Sequence, residues 1–333
     1  MSDVNIVITR ETAAVSQLGF GIPLIVGVGG AEPYTEWYGP EDITSEYGAE
    51  VVNMANVLFS QRPRLRKVAV VGFDSFSPVI AGLNALITEE NDWYFLLCQD
   101  RVVENTRPLA AWAELNGRLY FTSPTADVAA TITLAEQTEF EDNEYSVILY
   151  HDEPSHYPDV AWVGKCAPTI PGSITWKFKT FTGQVPASLT TAQLDDLHAA
   201  NVNAYIRRMG MNITSEGKTT SGVYIDVVRG TDWLRSNIAH RVQKLLTVSP
   251  KVPYDNPGIA SVLSEIKASL QEGTANGLIA RDADGNGIWT VSAPDRADID
   301  PAIVETRVLP DITFECTFSG AVHGVDVAGV VRI

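Results

Sequence analysis

Three cysteines in 333 residues are too few and too scattered to form a disulfide framework. Cys98, Cys166 and Cys316 fall in no metal-ligand spacing. Cys98 ends an apolar run and Cys316 sits inside one, so both read as buried thiols of a chain made for a reducing compartment. Positive charge is also scarce. Twenty-four Lys+Arg against 41 Asp+Glu leave a formal net charge of −17, which repels phosphates and anionic lipid and argues against direct binding to nucleic acid or membrane. The longest apolar run, near residues 22–28, is too short to span a bilayer. The start MSDVNIVITR lacks the basic and apolar segments of a secretion signal, so a soluble cytoplasmic product is expected.

Catalytic signatures are missing as well. VGVGG at 26–30 follows an apolar run, but Glu32 stands where a phosphate-binding fingerprint needs a third glycine, and no Lys-Ser or Lys-Thr pair follows. Asp282, Asp284, Asn286 and Gly287 have the spacing that opens a calcium loop, yet the twelfth position is Ala293 and supplies no carboxylate. A turn between strands at 277–280 and 288–291 is expected there instead. His156, His198, His240 and His323 have no partner at ligand spacing, and Arg62, Arg64, Arg66 and Lys67 form a solvated basic loop. The strongest case for an enzyme or metal site is positional: Asp74, Asp100, His151 and Asp152 follow apolar strands, where α/β sheets bind ligands. The plain alternative is that these short polar residues cap turns. No cofactor is expected.

The chain does have enough apolar residues, 45%, for a substantial core and for two domains. From residue 21 to about 171, strands (68–73, 93–98, 118–122, 146–150) alternate with helices (79–89 behind a Ser77 cap, one through 109–115 stopped by Gly117, and 126–137). Near-continuous apolar strands separated by helices imply a mostly parallel sheet covered on both faces. After residue 172 the pattern becomes α+β. Ile174, Trp176 and Phe178 alternate as a half-exposed strand, and Trp176, Trp233 and Trp289 are expected core anchors. Thr190 and Gln193 form a capping box for a helix to about residue 208. Val223, Ile225 and Val227 read as a strand, broken by Gly230 and followed by a helix capped by Thr231 or Asp232, with Leu234, Ile238, Val242 and Leu245 on its apolar face. Pro257 starts another helix, with Ile259, Val262, Leu263, Ile266 and Leu270 on one face, and 312–318 alternates as a half-buried strand.

The two ends are unusual. Val4, Ile6 and Ile8 at one end, and Val325, Val327 and Val330 at the other, are strand-like and carry few charges. Each either completes a sheet in its own chain or adds a strand to another chain. The change in pattern divides the chain into an α/β domain over 21–171 and an α+β domain over 172–319, flanked by terminal segments over 1–20 and 320–333.

GVYIDVVRGTDWLRSNIAHRVQKLL (222–246), with PYDNPGIASVLSEIKASL (253–270), resembles the C-terminal domain of contractile phage tail sheath proteins. TAAVSQLGFGIPLIVG, AAWAELNGRLYF, GSITWKFKTFTG and NVNAYIRRMGMNITSEGKTTSGVYIDVVRGTDWL are similar to the smaller phage and prophage sheath type. The resemblance implies a structural subunit that stacks as hexameric rings into a helical sheath around a tail tube. Such a sheath contracts on a baseplate signal and drives the tube through the target envelope. It also implies virion-tail localisation, partners among tube, baseplate and terminator proteins, and terminal arms that exchange strands with neighbouring copies. A helix of the C-terminal domain would face the tube, with Arg241, Lys244 and Lys267 as candidate contacts. At 333 residues there is little room for the outer domains of larger sheaths.

Overall fold

The computed structural model describes residues 19–43 and 45–329; Val4, Ile6, Ile8 and Val330 lie outside them. In chain order the elements are β1 (Pro23–Val28), β2 (Thr35–Trp37), α1 (Ala49–Ser60), β3 (Val68–Phe73), α2 (Val79–Glu89), β4 (Phe95–Cys98), α3 (Val103–Asn116), β5 (Leu119–Thr122), α4 (Val128–Ala135), β6 (Ser146–Tyr150) and α5 (Pro158–Cys166). Then follow α6 (Thr191–Ala199), β7 (Asn203–Arg208), β8 (Met211–Thr214), α7 (Ile225–Val248), α8 (Asn256–Ala275), β9 (Trp289–Ser292), α9 (Pro301–Glu305) and β10 (Thr313–Cys316).

The sheet order is β2-β3-β1-β4-β5-β6-β7-β8. Neighbours from β3 through β7 run parallel, while β2 and β8 are antiparallel edges. Strands β4, β5 and β6 are buried along their whole length, as apolar runs covered by helices on both faces must be. β9 and β10 form a separate antiparallel pair in which Phe314 faces Val291 and Cys316 faces Trp289. One buried cluster runs from Phe20 to Ile279, so the core is continuous across the change in pattern at residue 172. Phe95, Phe121, Trp162 and Trp176 pack at its centre, mostly edge to face, with ring centroids 5.2–6.0 Å apart.

Several expectations need correction. Residues 223–228 are not a strand; helix α7 begins at Ile225 and runs unbroken through Gly230. The β-branched alternation was a weaker determinant than burial, which follows Ile225, Arg229, Trp233 and Asn237 at helical intervals. Gly230 serves a close approach rather than a break, since a Cβ there would lie 2.3 Å from Cδ1 of Leu278. Neither Thr231 nor Asp232 is a cap: the Thr231 hydroxyl donates to the Val227 carbonyl one turn back. Ser77 does not cap α2, whose N-cap position is Pro78 with no side-chain bond.

Residues 174–178 form no strand. Trp176 is buried, its carbonyl accepts from Thr214 and Trp162, and Phe178 bends the chain at φ +62°. The Thr190–Gln193 capping box is present, but its helix stops at Ala199 and β7 takes the remainder. The strand expected at 277–280 is reduced to a bridge between Ile279 and Phe318. Cys98 is buried and its thiol is pushed up to about 12, whereas Cys316 is only half-buried.

Candidate functional site

Beyond the strand carboxyl ends, the position most favourable to an enzyme, the residues read from the sequence are taken up by hydrogen bonds to turns and strands. β1 and β4 flank the point where the chain's crossovers change direction. There Gln99 bonds β1 through both its backbone and its side chain, N–H to the Val26 carbonyl (2.9 Å) and Oε1 to the Val28 N–H (3.0 Å). The N–H groups of Gly29 and Gly30 donate to Phe73, so they are not turned toward a phosphate. Asp74 accepts from Ala31 N–H, Asp100 from Val102 N–H and the Asn105 amide, and Asp152 from Ser188 N–H. His151 is buried; its Nε2 faces the Val185 carbonyl at 2.8 Å while Nδ1 accepts from Glu153 N–H, which selects the Nε2–H tautomer. These residues tie turns. Asp282 does the same, accepting from the N–H groups of Asp284 and Asn286, and those bonds hold its carboxyl below the usual range. Among the described residues no group of His, Cys, Asp or Glu could hold a metal ion.

The more informative chemistry lies at the opposite, amino end of the sheet, where α7 docks. Asp232 accepts from Tyr94 and Tyr145, one hydroxyl on each carboxylate oxygen at 2.7 Å. Burial, and next the Asp232 charge, push the Tyr94 hydroxyl well above its ordinary value, so it stays a donor. One turn earlier the Arg229 guanidinium, buried over the Phe95 ring, donates to the carbonyls of Phe20, Cys166, Ala167 and Thr169. The Cys166 and Ala167 carbonyls end α5, so Arg229 caps that helix from inside the core. Burial lowers Arg229 to about 10, which leaves it charged at neutral pH. Sequence periodicity had no means of assigning these roles, because Arg229 and Asp232 look like solvated helix positions until the strand ends arrive beneath them. Replacing Asp232 with Asn is expected to cost about 1–3 kcal/mol in urea unfolding, because one hydroxyl loses its acceptor.

Beyond that weld, α7 and α8 form a long antiparallel pair. Arg241 bonds Glu272 at 2.7 Å and Asn237 at 3.0 Å, and Ser269 donates to the same Asn237 oxygen. Arg241 is therefore committed between the helices, whereas Lys244 and Lys267 point to solvent. A groove of about 500 Å³ opens along this pair, lined by His240, Arg241, Lys244, Glu265 and Glu272.

The C-terminal segment leaves the β9–β10 pair after Phe318. From residue 319 to 329 every residue is exposed except His323, and Val325 and Val327 are 77% and 88% exposed. His323 sits edge-on against Phe178 and Tyr224 and meets the Thr175 hydroxyl at 2.8 Å. Burial first, then Lys177, lowers its pKa from 6.5, with Lys218 and Lys179 acting in the same direction and Glu216 opposing them. The docked ring thus binds fewer protons than a free one. Its contact is fully present above pH 6.5 and weakens as pH falls below that value. Proteolysis within 319–329 is expected to quicken severalfold between pH 7.5 and pH 5, and His323→Ala should remove that dependence.

Residues 225–300 match the family described as E217 tail sheath protein gp31-like, C-terminal domain. Among solved structures, the helical sheath of the anti-feeding prophage in its contracted state is 12% identical and matches with a TM-score of 0.71, covering 99% of each chain. The PVC sheath complex of an extracellular contractile injection system, also contracted, is 10% identical with a TM-score of 0.72, covering 99% of this chain and 97% of its own. The sheath tail protein of Desulfitobacterium hafniense is 10% identical with a TM-score of 0.60, covering 87% of this chain and 93% of its own. No curated protein matches by sequence.

Proposed function

From a chain that has the fold of contractile sheath proteins over nearly its whole length and a tail sheath C-terminal domain at 225–300, we propose a structural sheath subunit that self-assembles around a tail tube. In this reading hexameric rings stack into a helical cylinder, and contraction drives the tube through the target envelope. Baseplate and terminator proteins are the partners at its two ends. The subunit is made in the host cytoplasm, takes no cofactor and catalyses nothing.

The observation that carries the reading beyond the fold is the C-terminal segment: apolar, exposed over 324–329 and leading away from a two-stranded sheet. Two strands are marginal alone, and unpaired edges accept further strands by main-chain bonding. Arms carrying Val4, Ile6 and Ile8, and Val325, Val327 and Val330, are proposed to exchange strands with neighbouring copies. Arg241, Lys244 and Lys267 are the proposed tube contacts, with Arg241 also bracing the helix pair that presents them. A bistable lattice then stores in many subunits the difference between two packings.

Negative-stain electron microscopy of the full chain at rising concentration, alone and co-expressed with its tube protein, tests this. Hollow cylinders of uniform width are expected, and isolated particles under both conditions would overturn it.

A further inference from the structure

The β7–β8 hairpin projects basic and apolar side chains together from an acidic chain. Residues 207–211, RRMGM, are all exposed, Met209 to 94% and Met211 to 61%. Arg208 pairs with Met211 across a two-residue loop, and both loop residues have positive φ, +48° at Met209 and +80° at Gly210. Such a turn favours Asn-Gly, because a long side chain in the left-handed region is strained. A methionine there is both strained and solvated, so the fold of this chain alone gives no reason for it.

The hairpin also has a defined place. β7 runs parallel to β6, so the tip stands at the carboxyl end of the sheet. At the opposite end, the loops entering β4 and β6 carry carboxylates. Glu89 and Glu90 are exposed at the C-terminus of α2, whose last turn has no basic residue, and Glu141 and Asp142 are exposed ahead of β6. Carboxylates at a helix C-terminus add to the negative end of its dipole and make a favourable seat for a guanidinium.

We propose that the 207–211 hairpin docks on a second copy of this chain, with Arg207 and Arg208 meeting the acidic loops at Glu89–Glu90 and Glu141–Asp142 and the methionines packing between them. The contact joins unlike ends, so it propagates instead of closing on a two-fold dimer. It rests on the reading of the chain as a self-assembling subunit.

Sedimentation velocity on the full chain tests the contact directly. The wild-type chain should associate at low salt and dissociate as salt rises. R207E/R208E should raise the concentration needed about tenfold or more, and so should E89R/E90R. Mixing the two variants should restore association, because the unaltered finger of E89R/E90R then finds the unaltered seat of R207E/R208E. Met209→Asn should weaken association while leaving the melting temperature equal or higher, since Asn tolerates the turn. A wild-type chain that stays monomeric at low salt, an R207E/R208E variant that associates normally, or a mixture no better than its parts would each overturn the proposal. Cylinders formed normally by R207E/R208E in the microscope would remove this contact and leave the sheath reading standing.

Discussion

A chain lacking residues 322–333 is expected to fold normally and to form no cylinders, even at about ten times the concentration at which the full chain assembles. The described part of the deleted segment buries almost nothing in its own molecule: 322 and 324–329 are exposed, and His323 alone is half-buried. Its removal should shift the melting temperature by no more than about 2 °C. Assembly is different in kind. If each arm adds a strand to a neighbour, its loss removes a full set of main-chain bonds at every lattice contact, and those losses multiply along the polymer. Removing residues 1–12 should have the same effect. Melting curves and electron microscopy on the same preparations separate the outcomes. A deletion that stays folded and still makes cylinders would sink the strand-exchange mechanism.

Arg229→Ala should have the largest effect on the fold itself, about 3–5 kcal/mol in urea unfolding. The guanidinium bonds carbonyls from three parts of the chain: Phe20 before β1, Cys166 and Ala167 at the end of α5, and Thr169 beyond it. Truncation takes the guanidinium donor from the buried Phe20 and Ala167 carbonyls, while the Cys166 carbonyl keeps Thr169, and it opens a void beneath Phe95. Arg229→Lys should recover only part of the loss, because one ammonium cannot reproduce a planar fork. Detaching α7 from the sheet would also disconnect the α7–α8 pair from the body, so this variant should assemble poorly even where it remains folded. A loss below about 1 kcal/mol would show that the carbonyls find other donors.

The sheet was legible in the sequence because its central strands are buried on both faces and read as unbroken apolar runs, such as VAVVGF and SVILY. The capping box at Thr190 and the helix opened by Pro257 were legible too, since their signals are local. The start of α7 was not. Val223, Ile225 and Val227 alternate as strands do, and only the docking of that segment under Tyr94 and Tyr145 makes the helix the better solution. Residues 174–178 failed in the same way, because Trp176 is drawn into a ring cluster assembled by Phe95, Phe121 and Trp162 from distant parts of the chain.

By itself, then, the sequence determined the parallel sheet, its covering helices, the acidic surplus and the apolar character of the two ends, all of which depend on composition and short-range period. Tertiary structure decided the roles of most polar residues beyond the local caps. Asp74, Asp100 and Asp152 became turn ties, Asp232 and Arg229 became the weld between α7 and the sheet, and Arg241 became a strut between helices. The physical reason is that a polar side chain's role is set by the partner that satisfies it, and here those partners lie up to 209 residues away in the chain.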